Sequence, residues 1–173
     1  MEKNTYPQGI LWDMDGVLAD TTETHFFAWK TALAEVGIEL EKDRFLDFFG
    51  RSPSDTLKGL VGTDFSHEEK IFIHKRKIEL YNEAVKANIR STPGIKEWLR
   101  FFNTSTPQAV ASSAPLEDIQ FILKRLDYLD YFKSIISGSS LQQSKPAPDI
   151  FLMAANELGV NPKYCLVIED SPN

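Results

Sequence analysis

The sequence predicts an α/β fold: a parallel sheet core with a helical stretch inserted into it. Three observations carry that prediction. Short apolar runs of strand length recur (Gly9-Ile10-Leu11-Trp12, Gln108-Ala109-Val110-Ala111, Leu166-Val167-Ile168), and each gives way at once to polar residues. Strand patterns alternate with helical ones after residue 92, which implies parallel strands joined by right-handed crossovers. Between the first run and that point, roughly seventy residues show helical periodicity and no strand signal.

The elements follow in order. After the first strand, Asp13-Met14-Asp15-Gly16 is a turn in which Gly16 lets the backbone double back. Residues 22–36 place Phe26, Trp29, Leu33 and Val36 on a helical stripe closed by Gly37. A short aromatic-rich helix over 43–49 ends at Gly50, and Pro53 opens another that Gly62 stops. Ser66 and Glu69 form a capping box that launches a long helix to about residue 87, with Ile71, Ile78, Tyr81 and Val85 on one side. Pro93-Gly94 starts a helix through Trp98 to Phe102. The strand at Gln108 then ends in Ser112-Ser113, and Pro115 opens a helix to about residue 126. Ile135-Ile136 is a further strand, residues 149–158 are helical up to Gly159, and the last strand ends in Glu169-Asp170.

Composition narrows the chemistry. The apolar fraction of 42% and charged fraction of 25% are those of a soluble globular protein, and 173 residues can bury a real core. A net charge of −6 argues against a nucleic-acid surface. The basic cluster Lys75-Arg76-Lys77 reads as a solvated helix face. Cys165 is the single cysteine and lies in an apolar run, so it reads as core with no disulfide. Nothing resembles a signal peptide or a membrane span, and the expected setting is the cytoplasm.

Four polar clusters stand at strand ends or beside them. Asp13 and Asp15 repel each other, and a bound cation with oxygen ligands offsets that cost, which favours magnesium. Ser112 and Ser113 offer hydroxyls and backbone N–H groups before a helix, a site suited to an anion or simply a helix cap. Lys145 is stiffened by the prolines of Lys145-Pro146-Ala147-Pro148. Glu169-Asp170 repeats the logic of Asp13. A parallel sheet carries ligands at the C-terminal ends of its strands, so the four clusters are expected along one edge. Phosphoryl transfer through an aspartyl-phosphate requires that set: a nucleophilic carboxylate, an acid and base, a metal, and groups that hold phosphoryl oxygens.

With those motifs in order (Asp13-Met14-Asp15-Gly16-Val17, Ser112, Lys145 within Lys-Pro-Ala-Pro-Asp, Glu169-Asp170-Ser171), the sequence resembles the haloacid dehalogenase superfamily of phosphotransferases. Within it, Thr24-His25-Phe26, Lys75-Arg76-Lys77 and residues 144–151 resemble the β-phosphoglucomutase-like branch with a helical cap. The resemblance implies a discontinuous, Rossmann-like α/β core over 1–18 and 89–173 and an all-helical cap domain over 19–88, with the C-terminal part of the core missing. It implies that Asp13 attacks phosphorus and that Asp15 serves as acid and then base. Magnesium would be held by Asp13, Asp170 and the main-chain carbonyl of Asp15, with Glu169 joining them or acting from behind. Ser112, Ser113 and Lys145 would grip the phosphoryl group.

In the cap, His25, Arg51 and Lys77 are candidates for contact with the substrate, and His25 reads equally well as a packing residue. Arg51 stands two positions before the place where the mutase pattern has an arginine, which here is Pro53. The implied function is a magnesium-dependent phosphatase acting on a small phosphorylated metabolite, a sugar phosphate, through an aspartyl-phosphate. The alternatives are a hexose-phosphate mutase and a shortened, inactive family member. No nucleic-acid or membrane partner is expected, and oligomeric state is not encoded in any pattern found.

Overall fold

The computed structural model describes residues 6–51, 53–62, 65–139 and 141–171. The chain folds as two units, one holding residues up to 20 and from 90 onward, the other residues 21–89.

The first unit is built on four parallel strands: β1 (Gly9–Trp12), β2 (Gln108–Ser112), β3 (Ser134–Ser137) and β4 (Cys165–Ile168). Their spatial order is β3-β2-β1-β4, with Trp12 opposite Val110 on one side and Ile168 on the other. β1 and β2 are buried along their whole length, as central strands of a parallel sheet should be. One face of the sheet packs against the helix Asp149–Leu158. There Leu11, Ala109, Ala111 and Ile136 meet Ile150, Ala154, Ala155 and Leu158. The alanines on both sides let the helix approach closely. On the other face, Trp12 donates its indole N–H to Gln108 Oε1 at 2.9 Å, and Gln108 Nε2 donates to Leu99 O at 3.0 Å. Gln108 is almost wholly buried, so this pairing removes the cost of an unsatisfied amide.

β4 lies at the sheet edge, and Leu166 and Val167 are exposed. Cys165 is half-buried rather than a full core residue, because an edge strand gives it cover on one side only. Trp98 is likewise exposed, on the helix Ile95–Asn103 whose buried residue is Leu99.

The second unit is helical: α1 (Thr22–Ala34), α2 (Lys42–Leu46), α3 (Pro53–Val61) and α4 (His67–Ala87). The capping box at α4 is present, with Ser66 N donating to Glu69 Oε2 at 2.8 Å and Glu69 N to Ser66 Oγ at 3.2 Å. The buried stripe of α4 differs from the expected one. Ile73, Lys77, Leu80, Tyr81 and Val85 face inward, while Ile71 and Ile78 are exposed. Lys77 also departs from a solvated face, because its ammonium lies over the rings of Trp29 and Tyr81, at 5.6 and 4.7 Å from their centroids. Aromatic faces accept a cation and let the long apolar stem stay buried. No helix among the described residues is long and apolar enough to cross a membrane.

The chain leaves the first unit after Asp20 and re-enters it at Arg90. Within the first unit, Asp20 N donates to Arg90 O, Thr92 N donates to Leu18 O, and Ala19 pairs with Ser91. Residues 13–20, which carry two of the sequence's acidic candidates, are thereby tied to residues 90–92.

Candidate active site

The polar clusters of Asp13, Ser112 and Glu169-Asp170 follow from where their strands stop. Asp13 comes directly after β1, and its N–H donates to Ile168 O on the neighbouring strand at 2.9 Å. That bond extends the β1–β4 pairing by one residue and brings the two C-terminal ends together. Asp13 and the Glu169-Asp170 pair therefore meet: one carboxylate oxygen from each of Asp13, Glu169 and Asp170 lies within 4.8 Å of the others. Lys145 arrives from the loop between β3 and the helix Asp149–Leu158. Its ammonium donates to Asp13 Oδ1 at 2.5 Å and to Glu169 Oε1 at 2.8 Å. The Lys145–Pro146 peptide bond is cis. Glu169 Oε2 in turn accepts from the backbone N–H groups of Asp170 and Ser171, which orients the carboxylate.

The electrostatics show an excess of negative charge. Burial pushes the Asp13 carboxyl up to about 7, against the opposing pull of Lys145 and with the help of Glu169 and Asp15. Burial and the neighbouring Glu169 raise Asp170 to about 6. Burial works against the charged form of Lys145, but Asp13 and Glu169 outweigh it and hold the ammonium above its ordinary value. Burial also opposes Glu169 ionisation, and there the hydrogen bond and charge of Lys145 prevail and lower it. One ammonium thus faces the carboxylates of Asp13 and Glu169 directly, with Asp15 and Asp170 close enough to add repulsion. The all-oxygen donor set and the uncompensated charge fit a hard divalent cation held by Asp13 and Asp170, with Glu169 beside them.

Gly16 makes that grouping possible. A methyl group added there would lie 2.0 Å from Asp170 Oδ2, and its φ of +83° disfavours any L side chain. Gly16→Ala is therefore expected to push Asp170 out of the cluster and to weaken divalent-cation affinity at least about tenfold. The backbone strain adds about 1–2 kcal/mol of destabilisation. Titration calorimetry with magnesium and thermal unfolding measure the two effects separately.

Ser112 ends β2 and is buried, and its Oγ accepts from Ala114 N at 3.2 Å, a local cap at the turn before the next helix. Ser113 follows it, half-buried, on the same edge of the sheet. Asp15 lies in the loop after Asp13, which is closed by Gly16 N donating to Ala19 O at 2.8 Å. His25, Arg51 and Lys77 belong to the helical unit. There His25 stacks on Tyr81 at 4.2 Å between centroids and meets Phe49 edge-on at 5.7 Å. Arg51 lies over the ring of Phe48 at 5.2 Å. The sequence reading did not single out Phe151, whose ring centroid is 4.8 Å from Lys145 Nζ. The signal available was its place six residues after Lys145 in a proline-stiffened segment, but an aromatic residue in an amphipathic helix reads as core.

Comparison with known proteins agrees with this geometry. Residues 10–173 match the family of haloacid dehalogenase-like hydrolases. The chain is 32% identical over 172 residues to β-phosphoglucomutase of Bacillus subtilis, covering 95% of this chain and 75% of that protein. It is 30% identical over 169 residues to a phosphorylated-carbohydrates phosphatase of Thermotoga maritima, covering 95% of this chain and 76% of that one. Among solved structures, the crystal structure of β-phosphoglucomutase from Clostridium difficile superposes with a TM-score of 0.85 at 28% identity, over 95% of this chain and 76% of that one. The strand order, the carboxylates gathered around Lys145 and these likenesses together make the chain a member of the haloacid dehalogenase-like hydrolase family, an enzyme of its β-phosphoglucomutase-like branch.

Proposed function

We propose that the chain is a magnesium-dependent phosphatase acting on a small phosphorylated metabolite, a sugar phosphate, through an aspartyl-phosphate on Asp13. The observation that carries the reading is the buried Asp13–Lys145 pair beside Glu169 and Asp170. A carboxylate buried there without a ligand is costly, and phosphoryl transfer supplies a reason to retain it. The names of relatives support the substrate class: one is a phosphatase of phosphorylated carbohydrates, another a fructose-1-phosphate phosphatase of Escherichia coli at 24% identity.

In this mechanism an Asp13 carboxylate oxygen attacks phosphorus while the bond from phosphorus to the sugar oxygen breaks. Asp15 gives its proton to the departing oxygen. As a carboxylate, Asp15 then takes a proton from water, whose oxygen attacks phosphorus and breaks the bond to Asp13. Lys145, Ser112 and Ser113 hold the phosphoryl oxygens, and Lys145 also offsets the charge on Asp13. Magnesium, held by the Asp13 and Asp170 carboxylates and the Asp15 carbonyl with Glu169 beside them, would supply positive charge that favours ionised Asp13. The helical segment 19–88 serves as a cap that sets the substrate through His25, Arg51 and Lys77. The single Cys165 suits a reducing, cytoplasmic setting.

A panel of phosphorylated metabolites assayed with magnesium and with EDTA tests the reading. Phosphate release from one or more sugar phosphates, lost in EDTA and restored by magnesium, is expected. Release that is indifferent to EDTA, or no release from any compound, overturns it. The identity to β-phosphoglucomutase favours a second reading, a hexose-phosphate mutase. Bisphosphate-dependent conversion of β-glucose 1-phosphate to the 6-phosphate, without net phosphate release, would select it.

A further inference from the structure

Lysine carries three N–H donors, and two of those on Lys145 are taken by Asp13 Oδ1 and Glu169 Oε1. The ring of Phe151 lies against the same ammonium, 4.8 Å from Nζ to its centroid. The lysine side chain is only 4% exposed, so little water competes for that charge. A cation over an aromatic face is attracted by the ring quadrupole, and more strongly where water is excluded. The ring also differs from a third carboxylate in kind. It attracts the charge as a whole and offers no lone pair to fix an N–H in a directed hydrogen bond.

Phe151 is well placed to impose a position. It lies in the first turn of the helix Asp149–Leu158 and packs against the cluster in which Ile150, Ala154, Ala155 and Leu158 meet the sheet. The ring is thus anchored by the core, while Lys145 is carried by a loop.

We infer that Phe151 is a positioning residue: its ring face holds the Lys145 ammonium against Asp13 and Glu169 and leaves the third N–H for a phosphoryl oxygen. The inference deepens the phosphatase reading and rests on it for the role of Lys145. The competing account makes Phe151 a core residue whose ring merely fills space.

The two accounts separate in the full chain. Wild type is compared with Phe151→Leu, Phe151→Tyr and a variant carrying pentafluorophenylalanine at position 151. Each is assayed for kcat and KM with p-nitrophenyl phosphate and magnesium, for inorganic phosphate affinity, and for Tm. Phe151→Leu should lower kcat/KM about tenfold, and Phe151→Tyr, which keeps the ring face, should recover most of that loss. The fluorinated ring keeps nearly the same shape but reverses the quadrupole. It should lose activity like Phe151→Leu while Tm falls less than in Phe151→Leu, because the attraction for the ammonium is lost but the volume stays filled. A fluorinated variant as active as wild type, or losses that simply track Tm, would overturn the inference. A wild-type chain inert toward every phosphate ester would sink the phosphatase reading instead. Phosphate affinity then decides the role of Phe151: weakening on fluorination supports it, and an unchanged affinity overturns it.

Discussion

Asp13→Asn will abolish turnover while leaving the fold intact. Asparagine keeps the shape of the side chain and its place after β1, but its amide cannot serve as the nucleophile. The expected loss in kcat toward an aryl phosphate is about 10⁴-fold or more, which corresponds to about 5 kcal/mol of barrier. Stability should move the other way. The Asp13 carboxyl is raised to about 7 in the fold, mainly by burial, from an ordinary value near 3.8. A raised carboxyl binds its proton more tightly folded than unfolded, so ionising it costs stability as pH climbs from about 4 through 7. Asparagine has no proton to lose. Metal-free Asp13→Asn should therefore match wild type at pH 4.5 and exceed its Tm at pH 8. Residual turnover at the wild-type rate would reject Asp13 as the nucleophile. A Tm below that of wild type at pH 8 would show that its charge is compensated better than the site's geometry implies.

Much of this architecture was legible because local signals and tertiary structure agree. The Ser66–Glu69 box, Pro53 and the glycines at 37, 62 and 159 mark helix ends where the structure has them. The strand ends were readable because each apolar run breaks abruptly into chemistry-bearing residues. Helix faces were harder. In α4 two apolar registers overlap, and the one that wins includes Lys77, which a polar–apolar pattern assigns to solvent. The rings of Trp29 and Tyr81, placed by tertiary packing, help make that burial tolerable. Motif order singled out Asp13, Lys145, Glu169 and Asp170, which the structure brings together, but it could not give their geometry. The Asp13–Lys145 bond joins residues 132 positions apart, and no local preference reports it. The close approach of Asp170 to Gly16 and of Phe151 to Lys145 is hidden for the same reason.

Lys145→Met tests the charge balance that the whole site depends on. Methionine approximates the length and apolar stem of lysine, so the cavity stays filled and the change is chiefly the loss of one positive charge. Asp13, 7% exposed, is then left facing Glu169 with no cation between them. Breaking a buried pair in this way costs about 3–5 kcal/mol when the remaining charge stays ionised. Asp13 can escape that cost by keeping its proton, which makes the penalty depend on pH. Lys145 lowers the Asp13 pKa, so its loss sends the folded value above 7 and widens the window in which rising pH destabilises the fold. Glu169 adds to the same trend. Its lowered pKa contributes stability above the ordinary value of 4.5, and much of that contribution comes from Lys145. Metal-free Lys145→Met should therefore fall short of wild type by little at pH 4.5 and by several degrees at pH 8. Added magnesium should narrow the gap at pH 8, since it returns positive charge to the same carboxylates. Turnover should drop by about 10³-fold, because both the grip on the phosphoryl group and the ionised state of Asp13 are weakened. A deficit of equal size at both pH values would mean that Lys145 acts by packing alone, and the electrostatic account of this site would fall with it.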